Sequence, residues 1–335
     1  MFILAIESSC DDTAAAIYVP ESNTVLANVI SSQNDVHALY GGIVPELASR
    51  CHIEAVWPVV ESALKKAEVQ LNDIALICAT QGPGLVGSLL VGFTFAKALA
   101  MVRDVPCVGV DHMSGHLLSC QLEPDAPEYP YTALIVSGGN TSLYSVHSPT
   151  SYSQIGRTRD DAAGEAFDKV AKLLEMGYPG GPVISNSAEK GNPEAINFPR
   201  AWLSEDSLDF SFSGLKTSVM NHVNTLRQQQ KHLELDNICA SFQEAVVDVL
   251  VKKTIRAAQI NGHNRVALGG GVASNKRLRT ALRQACTAHG IQLYVPKPIY
   301  CTDNAAMIAY AGYQHFLAGQ RVQPDDDAYS RSPLH

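Results

Sequence analysis

Phe2-Ile-Leu-Ala-Ile6, Glu7-Ser-Ser-Cys-Asp-Asp-Thr13 and Ala14-Ala-Ala-Ile-Tyr-Val19 read as an apolar strand, a turn of small hydroxyl and acidic residues, and a second strand. Far downstream, Thr132-Ala-Leu-Ile-Val136, Ser137-Gly-Gly-Asn-Thr141 and Ser142-Leu-Tyr-Ser-Val146 repeat the pattern. Turns of this kind aim backbone N–H groups and hydroxyls at one point, which suits a phosphate. Either segment alone is an ordinary hairpin. As a pair, with glycine-rich loops downstream, they predict a duplicated α/β fold that holds a phosphoryl-bearing ligand between its halves.

The rest of the first part alternates strand and helix, as an α/β domain does. Strands are expected at 23–31, 74–79 and 107–110, and helices at 45–66 and from the Gln81-Gly-Pro-Gly-Leu-Val-Gly87 loop to about 102. The Pro-rich acidic stretch at 122–130 reads as the domain boundary. The expected division is an N-terminal lobe over 1–125, completed by a C-terminal helix at 304–320, a second lobe over 126–303, and a frayed tail over 320–335. In the second lobe, Asp160 is expected to cap a helix over 161–176, and 186–217 reads as loop-rich. Helices are expected at 219–231 and 235–260, strands at 265–268 and 291–295, and a final helix from Cys301.

With 335 residues, the chain has room for two cores. A hydrophobic share of 46% against 17% charged excludes a disordered chain. No apolar run reads as membrane-spanning, because Lys97 interrupts the longest, and no basic leader precedes the first strand. The eight cysteines form no C-x-x-C pair, which fits free thiols in a reducing cytoplasm. The net charge of −8 argues against a chain that grips nucleic acid alone.

His112-Met-Ser-Gly-His116 sets two imidazoles one helical turn apart, a workable chelating pair. Met113 stands where a zincin has its glutamate base. Asp303, beside the last helix, is the expected third ligand; two His and a carboxylate suit Fe(II), and Zn(II) also fits. Equally, the pair reads as two unconnected histidines and Asp303 as an N-terminal helix carboxylate. Asp161, Glu165 and Asp168 share one helix face, a solvated stripe or, at Asp168, a ribose contact, with Gly180 and Gly181 letting the backbone approach the ligand. Gly269-Gly-Gly271 is a tight turn or a nucleotide contact. Asn275 offers a donor and an acceptor to a base or sugar. Lys276, Arg279 and Arg283 are a solvated basic face or a set of phosphate contacts.

Taken together, these motifs resemble the bacterial tRNA adenosine threonylcarbamoyltransferase family, TsaD, over nearly the whole chain. They are Glu7 to Thr13, Gly41-Gly-Ile-Val-Pro-Glu-Leu-Ala-Ser-Arg50, Gly82-Pro-Gly-Leu85, His112 to His116, Val136-Ser-Gly-Gly139, Asp160 to Asp168, Phe210-Ser-Phe-Ser-Gly-Leu-Lys216, Gly269 to Asn275 and Thr302-Asp-Asn304. The resemblance implies the two-lobed actin/Hsp70/sugar-kinase (ASKHA) fold. It implies one divalent metal, Fe(II) first and Zn(II) or Mg(II) otherwise, on His112, His116 and Asp303. It also implies an adenylate held by Ile135, Val136, Ser137, Gly138, Gly139, Asp168, Gly181 and Asn275. Asp11 and Ser137 are the implied catalytic residues. The implied reaction moves threonylcarbamoyl from threonylcarbamoyl-AMP to the exocyclic amine of the adenosine 3′ of the anticodon, in tRNAs reading codons that begin with A. A TsaB-like paralogue and a TsaE-like ATPase are the implied partners, with a TsaC-type enzyme making the adenylate. Ser8, Asp12, Cys51 and Asn140 depart from the commonest pattern, which has Thr, Glu, Asp and His there. A metalloprotease, a small-molecule kinase or ATPase, and a non-catalytic scaffold are the rival readings.

Overall fold

In a computed structural model, residues 1–202 and 207–331 are described. The chain divides into two units. The first comprises 1–126, 147–152 and 296–335, and the second 127–146 and 153–295.

In the first unit, β1 (Phe2–Glu7) pairs antiparallel with β2 (Asp12–Val19), and β2 pairs with β3 (Thr24–Ser32). On its other side β1 runs parallel to β4 (Ile74–Gly82), which runs parallel to β5 (Cys107–Asp111). The order is β3-β2-β1-β4-β5. The second sheet, from β6 (Tyr131–Val136), β7 (Thr141–Ser148), β8 (Ser151–Arg157), β9 (Arg265–Gly269) and β10 (Gln292–Tyr294), has the order β10-β9-β6-β7-β8. Read from the other edge, that is the same topology with the same parallel and antiparallel neighbours around the founding hairpin. The paired sequence segments are therefore the equivalent strands of a duplicated unit.

The helices are α1 (Asn34–Ala38), α2 (Pro45–Ala67), α3 (Val86–Arg103), α4 (His112–Leu118), α5 (Ala163–Leu173), α6 (Gly180–Ala188), α7 (Ser213–Gln228), α8 (Leu235–Ile260), α9 (Lys276–Ala288), α10 (Pro298–Cys301) and α11 (Ala305–Leu317). β1 and β2 are almost wholly buried, which explains their near-continuous apolar runs. Val56, Val59, Val60 and Ala63 of α2 and Phe93, Ala96 and Ala100 of α3 join Leu4, Ile6, Ala15 and Ile17 in one core. By length and composition α3 is apolar enough to cross a membrane, contrary to the sequence expectation; its inner face belongs to this core.

Two further expectations are corrected, and one strand is added. The strand at 151–157 was not foreseen, because its composition is polar and its burial only partial. Asp160 does not cap the helix that follows it. Its Oδ1 accepts from Phe212 N at 2.8 Å and Ser213 N at 3.2 Å, at the start of α7, while α5 begins at Ala163. The segment after Gly319 is not frayed over its described residues: Val322 N donates to Cys107 O, and Lys97 Nζ to the carbonyls of Pro324 and Asp326. Residues 332–335 of the expected tail lie outside the described residues.

Candidate metal centre and nucleotide-binding turn

The parallel strands β1, β4 and β5 end side by side, and their carboxyl ends carry Glu7, Thr80 and Asp111. Ligand sites in α/β sheets collect at such ends. Asp111 Oδ1 caps α4 by accepting from Met113 N at 2.9 Å and Ser114 N at 3.3 Å. The seven-residue helix so started is buried along its whole length and presents His112 and His116.

Gly115 lies between the two histidines. A Cβ there would stand 3.0 Å from Ile308 Cδ1 and 3.1 Å from Met307 Cγ, so the glycine lets α11 come close. That approach brings Asp303 to the imidazoles. The neighbouring Asn304 caps α11, its Oδ1 accepting from Met307 N at 3.0 Å, and this frees Asp303 from the capping role the sequence also allowed.

Asp303 Oδ1 is 3.4 Å from His112 Nε2 and 3.2 Å from His116 Nε2, and ligand atoms from the three residues lie within 4.8 Å of one another. Donors about 2.1 Å from an ion at tetrahedral angles sit roughly 3.4 Å apart, so the two imidazole–carboxylate spacings suit a divalent ion. The donor set of two imidazole nitrogens from buried side chains and one carboxylate oxygen from a partly buried one fits a single such ion.

Sequence reasoning missed Glu7. It is fully buried, and its Oε2 lies 3.0 Å from His112 Nδ1 and also receives the Thr80 hydroxyl. Its Oε1 accepts from Ser9 N at 2.6 Å. Burial alone would raise the Glu7 pKa, but the His112 imidazole outweighs it and the carboxyl is held low. Burial disfavours a charged His112, and Glu7 and Asp303 together reverse that, so its pKa rises. His116 goes the other way, because burial, reinforced by the His112 charge, outweighs the carboxylates of Asp303 and Glu7. Burial opposes charge on Asp303 as well, yet the two imidazoles hold it well below the usual carboxylate range.

Asp11 sits in the turn between β1 and β2. Burial first, then the charge of Asp303, raises its pKa. His52, from α2, supports this turn: its Nε2 bonds Cys10 O at 3.0 Å and its Nδ1 bonds the Thr13 hydroxyl at 2.7 Å.

In the second unit the turn after β6 is closed by Ser137 N donating to Asn140 O at 2.8 Å and Asn140 N donating to Ser137 Oγ at 3.1 Å. Ser137 therefore spends its N–H and one acceptor site inside the turn and keeps its hydroxyl proton to donate. Ile135 and Val136 are buried strand residues beneath it. Two close approaches need glycine. A Cβ on Gly164 of α5 would stand 2.5 Å from Ser137 O, and one on Gly270, which has φ +86°, would run into the Val136 backbone. By contrast, Gly138, Gly139 and Gly181 have nothing within 4 Å of a Cβ position, so their backbone is open.

The acidic residues of the expected stripe have different fates. Asp161 precedes α5 and pairs with Lys169 and Lys216, both at 2.7 Å. Glu165 reaches Lys169 at 2.8 Å. Asp168 Oδ1 accepts from Gly180 N at 2.7 Å. A Cβ on Gly180 would meet Asp168 Cα and Phe167 O at 2.5 Å, so that glycine serves helix packing and only Gly181 is open. Asn275 is also engaged structurally: its Oδ1 caps α9 through Leu278 N at 2.9 Å, and its Nδ2 donates to Gln243 Oε1 at 2.7 Å. The expected basic face is partly engaged: Lys276 pairs with Glu189 at 2.9 Å, and Arg279 Nε donates to the uncharged Ala273 O at 2.5 Å.

Comparison with known proteins is specific. Residues 24–310 match the family model described as TsaD, tRNA N6-adenosine threonylcarbamoyltransferase. The tRNA N6-adenosine threonylcarbamoyltransferase of Desulfotalea psychrophila is 54% identical, over 100% of this chain and 98% of that protein. The enzyme of the same name from Desulforapulum autotrophicum is 51% identical over 99% of each chain. Among solved structures, full-length HypF in its phosphate- and nucleotide-bound form aligns over 95% of this chain at a TM-score of 0.65 and 16% identity. The chain spans about half of that protein, 47%. The activator of 2-hydroxyisocaproyl-CoA dehydratase from Clostridium difficile, with bound ADPNP, aligns over 97% of this chain and 100% of its own at a TM-score of 0.52 and 14% identity. At these identities the structural likeness carries the ASKHA-like fold alone.

Proposed function

We infer how this site works from one premise: the chain belongs to the TsaD family of tRNA N6-adenosine threonylcarbamoyltransferases. It is a transferase that places a threonylcarbamoyl group on N6 of an adenosine in tRNA. The donor we propose is threonylcarbamoyl-AMP, with AMP released, and the acceptor is the adenosine 3′ of the anticodon in tRNAs reading A-starting codons.

The observation that carries the mechanism is the convergence of two buried imidazoles, His112 and His116, on the partly buried carboxylate of Asp303. These residues would hold one divalent ion, Fe(II) by preference and Zn(II) or Mg(II) otherwise, and when bound it would supply Lewis-acid polarisation of the donor's oxygens. The Ser137 hydroxyl and the open Gly138–Gly139 backbone are assigned to the adenylate's phosphoryl and acyl oxygens, where charge develops. Asp168, Gly181 and Asn275 border the nucleotide in this assignment. An aromatic amine is a weak nucleophile, so positioning dominates the barrier. Asp11, whose carboxyl is made more basic by burial and by Asp303, is assigned to receive the amine's proton.

A chain carrying net charge −8 is poorly suited to hold tRNA alone. Partners are therefore part of the proposal: a TsaB-like paralogue, a TsaE-like ATPase and a TsaC-type source of the adenylate, in the cytoplasm. Ile53 and Trp57 of α2 and Val86 and Leu90 of α3 are exposed apolar groups that support docking of the paralogue on these helices. The test is reconstitution with threonylcarbamoyl-AMP, the partners and unmodified tRNA, followed by nucleoside mass spectrometry. Formation of threonylcarbamoyladenosine is expected. Undiminished transfer after combined loss of His112, His116 and Asp303 would leave the chain a scaffold.

A further inference from the structure

We propose that Tyr329 is a positioning residue for the metal-ligand helix: the C-terminal segment straps across the first unit and, through Asp111, fixes the helix that presents His112 and His116. The proposal rests on the reading of the triad as a metal site and extends it to residues far from the ligands in sequence.

A seven-residue helix has little stability of its own, so its start must be held from outside. The holder is the Asp111 carboxylate. Oδ1 is committed to the cap, accepting from Met113 N and Ser114 N. Oδ2 accepts from the Tyr329 hydroxyl at 3.0 Å. With one oxygen on the cap and the other on the phenol, rotation of the carboxylate is restrained, and His112 is the very next residue. Burial, and then the Asp111 charge, raises the Tyr329 pKa, so the phenol keeps the proton it donates.

The tyrosine is delivered by a strap with several separate anchors. Val322 N donates to Cys107 O at 2.9 Å, extending the edge of β5. Lys97 Nζ reaches Pro324 O at 2.9 Å and Asp326 O at 2.7 Å. Gln81 Nε2 donates to Asp327 O at 2.9 Å, and Tyr329 N donates to Gln81 O at 3.0 Å. Gly82, the register partner of Asp111, has no room for a side chain, because a Cβ would run into the Tyr329 ring and carbonyl. The fold thus leaves a seat for this ring at the carboxyl ends of β4 and β5, against the cap of the histidine helix.

Tyr329→Phe deletes the donated hydrogen bond and keeps the ring in its seat. Full-length protein is stripped of metal and loaded with Co(II). Affinity is read by chelator competition and ligand geometry by the visible absorption of the bound ion. About tenfold weaker binding with an altered Co(II) spectrum is expected, at the low end for outer partners of metal ligands. Lys97→Met loosens the strap elsewhere and is expected to weaken binding in the same direction but less. Wild-type affinity and an unchanged spectrum in Tyr329→Phe would overturn the proposal. A lowered melting temperature with unchanged affinity would overturn it too, making the tyrosine a packing residue. If the wild-type chain binds Co(II) no better than a variant lacking all three ligands, the metal site itself fails, a result distinct from failure of the strap.

Discussion

Glu7 Oε2 lies 3.0 Å from His112 Nδ1, so the carboxylate at the end of the first strand orients an imidazole that enters the chain 105 residues later. His112 Nε2 is thereby turned toward Asp303. His116 has no such support: its Nδ1 is buried without a hydrogen-bond partner among the described residues. The two histidines are unequal, and His112 is the anchored one. Glu7→Gln keeps the shape but removes the charge and one acceptor. Metal affinity is expected to fall between about tenfold and a hundredfold, with transfer recovering at saturating metal. Isothermal titration with Zn(II) reads the first effect, and unchanged affinity would show that His112 needs no carboxylate behind it.

Asn304 makes Asp303 available, and that division of labour can be broken. Asn304→Ala removes the cap of α11, at a cost of about 1 kcal/mol. Asp303 is the adjacent residue and carries an acceptor, so it is expected to turn toward the helix and leave the imidazoles. Metal affinity is expected to drop more than stability does, whereas Asn304→Ser, which keeps a capping oxygen, should restore both. Parallel melting curves and metal titrations separate the effects; equal affinity in Asn304→Ala would show that Asp303 stays in place without its neighbour.

Two glycines distinguish fold from ligand in the second unit. Gly164→Ala sets a methyl 2.5 Å from Ser137 O and 2.8 Å from Gly138 Cα, so the turn or α5 must move. A loss of about 1–3 kcal/mol in stability is expected, as for other overpacked sites. Gly138→Ala meets nothing within 4 Å and should leave the melting temperature unchanged. If the turn holds the adenylate, the added methyl should still reduce AMP affinity in calorimetry. Full AMP binding by Gly138→Ala would move the nucleotide elsewhere.

Much of this was legible from local pattern. The duplicated topology follows from two hairpins whose strands are buried on both faces and so read as apolar runs. The His112–His116 pair follows from helical spacing. What escaped the sequence depends on partners distant along the chain. Glu7 looked like a turn residue because its partners, Thr80 near the end of β4 and His112 at the start of α4, lie far along the chain. Asp160 had the spacing of a cap, but its acceptor geometry serves residues 212 and 213, which only the tertiary fold brings to it. Asn275, read as a ligand group, also caps α9, a second role that its place between a glycine turn and a basic helix permits. The polar tail read as frayed because its anchors are mostly its own backbone groups, which composition does not report.

Asp12 gives the pH dependence. It begins β2 opposite Ser32, and its Oδ1 is buried without a partner among the described residues. Burial, opposed by a Ser32 hydrogen bond and reinforced by Asp303, Asp11 and Glu7, pushes its pKa up to about 7 from 3.8. The native state therefore keeps this proton where the unfolded chain has lost it. The stabilisation is complete below 3.8 and is lost as pH rises through about 7, because the ionised form is the penalised one. Asp12→Asn cannot ionise. In metal-free protein it should match the wild type near pH 4 and exceed it at pH 8 by a few kcal/mol, at most about 4. Denaturant unfolding at both pH values measures the difference. A gap of the same size at both would mean that the side chain acts through shape or hydrogen bonding and not through its charge.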